Sequence, residues 1–312
     1  VDPKVERQTY HVNPGRTVRC VVSYPPFITY SRKPENYASL PDGIQQVYFY
    51  PMEQTLIGQH ALVCGSTQGI GKAVAMAFAQ QGATVTLLAR DLDALSRTLG
   101  ELDRGQGQQH LMLPVDMSAT PTLAEVIAQY MHQHRVDILV NNTGGPPPGP
   151  AHEADIAAFE AAFRLHLLSY QTLVRAIVPG MKARQHGRII NVISTSVKQP
   201  LPNLGVSNTI RGAVANWSKT LATELGQFNI TVNNVLPGAT STERLAAIIR
   251  NKSAKSGISE AEAAQKMMNE IPLRRFAKPE EIAAAVTFLA GPGGAYINGI
   301  NLPVDGGRTA CL

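Results

Sequence analysis

The sequence has little cysteine, no cluster of like charges and no long apolar run. Its three cysteines, Cys20, Cys64 and Cys311, are too few for a disulfide framework and favour a reducing, cytoplasmic compartment. The net charge of +5 comes from scattered Lys and Arg, so nucleic-acid binding is not indicated. Without 18 consecutive apolar residues or a secretory signal pattern, we expect a protein that neither spans a membrane nor is exported.

The first 51 residues differ in character from the remainder. They hold six of the nine tyrosines and seven prolines, with no sustained helical or strand period. We expect residues 1–51 to be an irregular extension, disordered or upstream of the natural start at Met52. A targeting or partner-binding arm is the alternative, although the segment contains no amphipathic Arg-rich helix. Residues 52–312 have enough apolar material for one large domain.

Short apolar runs alternate with amphipathic helical stretches throughout residues 52–312. The predicted strands are 60–63, 83–88, 110–115, 137–140, 187–193, 230–236 and 300–304. The predicted helices are 71–81, 92–103, 122–132, 156–183 and 208–228. Strands separated by helices of this length imply parallel crossovers, and near-continuous apolar strands imply helices on both faces. The fold class is therefore α/β, a Rossmann-type doubly wound parallel sheet in a single domain.

A glycine-rich segment follows the first predicted strand of this domain and opens a helix. It contains the candidate cofactor contacts Gly65, Ser66, Gln68, Gly69, Ile70 and Gly71. Glycines at this place let backbone amides approach a pyrophosphate at a helix N-terminus. The spacing, G-x-x-x-G-x-G, resembles that of the short-chain dehydrogenase/reductase family.

Further segments match this family in its own order over residues 58–307. By resemblance, one pair contacts the adenine, a turn supports the sheet beside the cofactor, and a third segment embraces the nicotinamide. These residues are Asp116 and Met117; Asn142, Thr143 and Gly144; and Pro237, Gly238, Thr240 and Thr242. Residues 304–307 match the family's closing turn. The resemblance is greatest to the 3-oxoacyl-acyl-carrier-protein reductase group.

The end of the second predicted strand of this domain indicates which nicotinamide cofactor is used. Relatives that prefer NAD carry an acid where this chain has Ala89, and that acid accepts from the ribose 2′-hydroxyl. Ala89 lacks this function, and Arg90 can pair with a 2′-phosphate. We therefore predict NADP(H) in preference to NAD(H), the alternative being that Arg90 only precedes a solvated helix.

The catalytic positions depart from the family pattern. Family members use a Ser, a Tyr with a Lys four residues later, and an Asn on the long helix. The resemblance places the serine at Ser194, but Ser207 stands for the Tyr, Arg211 for the Lys and His166 for the Asn. A serine hydroxyl is a far weaker acid than a phenol, and Arg cannot release its proton.

These replacements suggest a different set of roles. We predict that His166 supplies the proton through water or Ser207, because an unperturbed imidazole titrates near neutral pH. Ser194 and Arg211 would orient and polarise the carbonyl, and Arg211 would also hold the ribose. The alternative is that His166 packs in a helix bundle between subunits.

Three classes of function remain open at this level. The first is an NADP(H)-dependent oxidoreductase acting on a ketone or secondary alcohol, with a 3-oxoacyl thioester as one candidate substrate. The second is a cofactor-binding protein that has lost the redox step and serves as a sensor or structural partner. The third is non-redox lyase or isomerase chemistry on the same fold. The resemblance also implies a homodimer or homotetramer assembled through helices 156–183 and 208–228, and a variable helical lid at 243–270. The proline-rich segment 144–150 follows a strand at the cofactor edge of the sheet, where it either shapes one wall of the pocket or is a simple surface connection.

Overall fold

The computed structural model describes residues 5–11, 17–23 and 55–311, and the chain divides into two units, Val1–Glu53 and Gln54–Leu312. In the first unit, β1 (Val5–His11) pairs antiparallel with β2 (Thr17–Ser23). This antiparallel pair was not predicted, although both strands contain the β-branched residues that favour strands. The other residues of the predicted extension 1–51 lie outside the described residues.

The second unit is built on a seven-stranded parallel sheet in the order β5-β4-β3-β6-β7-β8-β9. The strands are β3 (His60–Cys64), β4 (Thr84–Ala89), β5 (Leu111–Pro114), β6 (Ile138–Asn142), β7 (Gly187–Val192), β8 (Ile230–Pro237) and β9 (Asn301–Val304). All seven predicted strands and the Rossmann-type fold class are confirmed. The strand order reverses between β3 and β6, which creates the crevice where doubly wound sheets bind ligands.

The helices match the predicted ones except in two long segments and at α9, which was not predicted. They are α1 (Gly69–Gln80), α2 (Leu92–Glu101), α3 (Thr120–Gln133), α4 (Ile156–Phe163), α5 (Ser169–Arg184), α6 (Gly205–Leu225), α7 (Glu243–Ser256), α8 (Glu260–Asn269) and α9 (Pro279–Ala290). The predicted helix 156–183 is interrupted by a π-helical turn, Arg164–Leu168. The predicted lid is two helices, because Gly257 adopts a φ of +67° that ends α7. Helix α9 was not predicted, although Pro279 at its first turn was the available signal.

Helices cover both faces of the sheet. Phe78 of α1 and Val286 of α9 are buried against one face, and Ile177 of α5 and Val214 of α6 against the other. Because both faces are covered, a ligand has access at the edge where the strands end. In the described part of the chain, no helix is both long enough and apolar enough to cross a membrane.

A row of asparagines links four neighbouring strands inside the sheet. The Asn141 amide donates to Asn191 Oδ1 at 2.8 Å, Asn191 donates to Asn234 Oδ1 at 3.0 Å, and Asn234 donates to Asn301 Oδ1 at 2.8 Å. Asn191 also donates to Ser218 Oγ of α6 at 2.9 Å. Hydrogen bonds between buried amides hold the register of these strands close to the edge where the candidate site lies.

Candidate active site

The loop after β3 forms a tightly packed cradle beside the start of α1. Gly65 has a φ of +59°, and its amide donates to the Leu88 carbonyl oxygen at 2.8 Å. A Cβ on Gly71 would lie 2.1 Å from the Gly65 carbonyl oxygen, so a side chain there would collide with backbone. Within the described residues, the Gln68 side chain makes no capping hydrogen bond to α1 and no acid lies in its first turn. The amides at this helix start are therefore available to a phosphate, and the cradle fits a dinucleotide.

A cavity of about 620 Å³ opens from this cradle along the carboxyl edge of the sheet. Most of the predicted cofactor contacts line it. They are Gly65, Gln68, Gly69, Ile70, Arg90, Asp116, Met117, Asn142, Thr143, Gly144, Arg211, Pro237, Gly238, Thr240 and Thr242. Residues from the ends of five strands thus converge on one space, as the sequence predicted.

Two predicted contacts, Ser66 and Gly71, do not line this cavity. Ser66 is fully buried, and its hydroxyl donates to the Leu88 carbonyl oxygen at 3.5 Å. Gly71 packs beneath the loop against Gly65 and Asn142. Both residues thus support the cradle by packing beneath its loop. Thr67, which was not predicted, lies in the cavity wall instead.

The side chains at the end of β4 suit a 2′-phosphate. Arg90 is exposed and lines the cavity, and Ala89 precedes it without a carboxylate. Hydrogen bonds from Ser118 lower the pKa of the neighbouring Asp116, and the positive charge of Arg90 lowers it further. The electrostatics of this corner therefore agree with the predicted choice of NADP(H).

Ser194 and Ser207 both present hydroxyl groups to the cavity. Ser194 follows β7, and its Oγ accepts a hydrogen bond from the Ser196 amide at 3.1 Å. Its own hydrogen has no acceptor among the described residues, so it is free to be donated to a ligand. Ser207 lies in the first turns of α6, is 8% exposed and likewise has no hydrogen-bond partner in the described part of the chain.

Arg211 is a buried cation in the cavity wall, 7% exposed. Its Nη1 donates to the carbonyl oxygens of Val192 at 3.3 Å and Ile193 at 2.9 Å, which fixes the guanidinium beside Ser194. Burial lowers the pKa of Arg211 from its usual value, although a guanidinium keeps its proton in proteins. No acid lies within ion-pair distance of Arg211 among the described residues.

His166 is not part of the cavity wall. It lies in the π-helical turn, 1% exposed, with Nδ1 2.6 Å from the Thr143 hydroxyl. Burial, together with the positive charge of Arg211, lowers the pKa of His166 to about 3, so the ring is neutral at pH 7. The predicted proton transfer from His166 therefore finds no support in this geometry, because a neutral buried ring has no acidic proton to supply.

Tyr170 is a residue of this region that the sequence did not single out. Its hydroxyl lies 2.7 Å from the Thr143 hydroxyl, so Thr143 joins Tyr170 to His166. Tyr170 is fully buried, and burial raises the pKa of its phenol to about 12. The available signal was its spacing of four residues from His166, which places both rings on one face of a helix. This chain of polar groups positions Thr143 at the cavity wall.

The family of the chain follows from its match to known sequences. A profile of the family described as Enoyl-(Acyl carrier protein) reductase matches residues 65–309, which include the cradle, the catalytic positions and the closing strand. The chain belongs to the short-chain dehydrogenase/reductase family. It is therefore an oxidoreductase by family, as the sequence predicted.

The match between this chain and its relatives covers nearly the whole length of those relatives. The chain is 32% identical over 249 residues to the NADPH-dependent reductase BacG of Bacillus subtilis, spanning 79% of this chain and 96% of that protein. It is 31% identical to the 7alpha-hydroxysteroid dehydrogenase of Escherichia coli, spanning 81% and 94%. The L-sorbose reductase from Gluconobacter frateurii, solved with NADPH and L-sorbose, superposes with a TM-score of 0.78 at 33% identity, covering 84% of this chain and 100% of that one.

Proposed function

We propose that this protein is an NADP(H)-dependent oxidoreductase that reduces a ketone, or oxidises the corresponding secondary alcohol. The observation that carries the proposal is that Ser194 and Arg211 line the cavity that begins at the glycine cradle, with Arg211 bonded to the carbonyl oxygen of the residue before Ser194. Relatives named as NADPH-dependent reductases and a structural neighbour solved with NADPH support the same cofactor. When bound, NADPH supplies the hydride.

Ser194 binds the substrate oxygen in this proposal. The Ser196 amide already donates to Ser194 Oγ, so the hydroxyl hydrogen is directed elsewhere. Donation to the carbonyl oxygen orients the substrate and strengthens as negative charge develops on that oxygen. Ser194 is thus a donor to the oxygen rather than an acid.

Arg211 supplies the positive charge that a family member draws from its Lys. Its Nη1 is held by two backbone carbonyls, so the charge is fixed before substrate arrives. The group is buried, and an electrostatic interaction there is stronger than it would be in water. The alkoxide formed at the substrate then takes its proton from water, which the Ser207 hydroxyl can relay because it lines the same cavity.

Removal of the Ser194 hydroxyl tests the proposed reaction. We expect NADPH oxidation with at least one member of a panel of 3-oxoacyl thioesters, diketones and keto sugars. Ser194→Ala should lower kcat about 100-fold, because one donor to the developing oxyanion is lost. NADPH affinity, measured by fluorescence titration, should stay within about threefold of the unmodified protein, since binding of the dinucleotide uses the cradle.

A matched serine variant and NADPH binding separate the possible results. Ser96 is exposed on α2, away from the cavity, and Ser96→Ala should leave turnover unchanged. Full activity in Ser194→Ala would contradict the proposed role. Tight NADPH binding with no turnover of any substrate would instead favour a cofactor-binding protein without redox activity.

The pH dependence of turnover tests the role of His166. Since burial holds the pKa of His166 at about 3, the ring stays neutral from pH 5 to 9. We expect His166→Asn to leave the shape of the pH profile of kcat unchanged over this range and to change kcat by less than about fivefold. A shift of an inflection near pH 6 to 7 in the variant would restore His166 as the proton donor.

A further inference from the structure

A second arginine of the cavity wall lies close to Arg211. Arg244 is in the first turn of α7, is exposed, and donates from Nη2 to the Pro146 carbonyl oxygen at 2.7 Å. This bond joins α7 to the loop that follows β6. A Cβ built on Gly145 would lie 3.4 Å from Arg244 Nη2 and 3.6 Å from Arg211 Nη2. Since both nitrogens lie this close to one point, they are no more than about 7 Å apart.

Neither guanidinium has an anionic partner in the described part of the chain. Arg211 and Arg244 form no ion pair there, and Nη2 of Arg211 has no hydrogen-bond acceptor among the described residues. Arg211 is more than nine-tenths buried and lines the cavity. Because Arg244 is exposed, water screens part of the repulsion between the two cations, and together they favour a negatively charged group at this part of the cavity.

The charges around this pair indicate what kind of anion would fit. Glu243 also lines the cavity, next to Arg244, and its carboxylate pairs with Arg250 at 2.8 Å. Because Arg250 compensates the charge of Glu243, the Arg244 guanidinium is left for an added anion, and one positive charge balances a monoanion better than a dianion such as a phosphate monoester. The planar N–H groups of this guanidinium match a carboxylate.

We propose that the substrate is an oxo acid, whose carboxylate is bound by Arg244 while its ketone oxygen faces Ser194 and Arg211. This assignment rests on the proposed function, because Arg211 and Ser194 hold the ketone oxygen in the same cavity. The separation of at most about 7 Å between the two guanidinium nitrogens places the carboxylate within a few bonds of the reacting carbonyl. Arg244 is then a residue that determines substrate choice.

Binding to the NADP⁺ complex tests the assignment without requiring turnover. By calorimetry, 4-oxopentanoate should bind at least about tenfold more tightly than its methyl ester, which has the same skeleton without the charge. Arg244→Gln should weaken 4-oxopentanoate binding about 10- to 100-fold, as expected for loss of a charge-assisted hydrogen bond. It should leave NADP⁺ affinity and binding of the ester within about threefold of the unmodified protein.

Lys255→Gln is the matched control, since Lys255 is an exposed cation on the same helix and does not line the cavity. It should keep the full preference for the acid. Equal affinity for acid and ester, or a parallel loss of NADP⁺ binding in Arg244→Gln, would overturn the assignment. Tighter binding of dihydroxyacetone phosphate than of 4-oxopentanoate would overturn it in favour of a phosphate site. Selective acid binding without reduction of any ketone would contradict the proposed function and leave only the carboxylate site at Arg244 standing.

Discussion

Gly71→Ala should lower the affinity for NADPH at least about 100-fold. The added Cβ would lie 2.1 Å from the Gly65 carbonyl oxygen and 2.7 Å from Asn142 Nδ2. Neither neighbour can move easily. The Gly65 amide donates a hydrogen bond to the Leu88 carbonyl oxygen, and Asn142 Nδ2 lies 3.3 Å from the Cys64 and Gly65 carbonyl oxygens. The loop must therefore move away from α1, which displaces the amides that bind the pyrophosphate.

A second glycine in a helix provides the control for this change. Gly100 lies in α2, and a Cβ built on it meets no atom of the described residues within 4 Å. Gly100→Ala should keep full NADPH affinity and add up to about 1 kcal/mol to the free energy of unfolding, since alanine favours helix. Fluorescence titration and thermal melts measure both effects. NADPH affinity within threefold of the unmodified protein in Gly71→Ala would show that the cradle is not the cofactor site.

Arg211→Met should lower kcat by about 100- to 1000-fold. Methionine keeps an unbranched apolar stem but removes the charge that is fixed beside Ser194 by the Val192 and Ile193 carbonyl oxygens. The developing oxyanion then loses a preorganised positive group in a buried site. Initial rates of NADPH oxidation at saturating substrate measure the effect, and the thermal melt of each variant reports whether the fold is kept.

Arg211→Lys separates charge from shape at this position. Lysine restores the positive charge that the family pattern carries there, and we expect it to recover at least about tenfold of the loss seen in Arg211→Met. Arg97→Met, at an exposed position on α2, should leave kcat unchanged. A kcat in Arg211→Met above a tenth of the unmodified value would mean that Arg211 serves cofactor binding or packing and contributes little to the reaction itself.

The location of the cofactor site could be predicted because its signals are local in the chain. The glycine spacing from Gly65 to Gly71 is required by a single turn between a strand and a helix. The other predicted contacts are short segments that directly follow later strands, and these strand ends meet at one edge of the sheet. Spacing does not tell which way the Ser66 side chain points. Its hydroxyl turned inward to Leu88 O.

The role of His166 could not be read from its position on a helix. The unperturbed pKa of an imidazole suggested proton transfer, but burial and the nearby Arg211 lower that pKa to about 3. Its link to Thr143 depends on a π-helical turn inside a segment whose apolar pattern is that of a continuous helix. Burial and neighbouring charge are properties of the packed chain.

The sequence by itself determined the doubly wound fold, the family with its NADP(H) cofactor, and the absence of the usual Tyr and Lys, since each depends on residue type and short-range spacing. Only the tertiary structure decided which side chains act together. It brings Arg244 to Pro146, 98 residues away in the chain, and places both guanidiniums about Gly145. Convergence of this kind depends on how the sheet orders its strands and how α7 packs over its edge, and no local pattern encodes that distance.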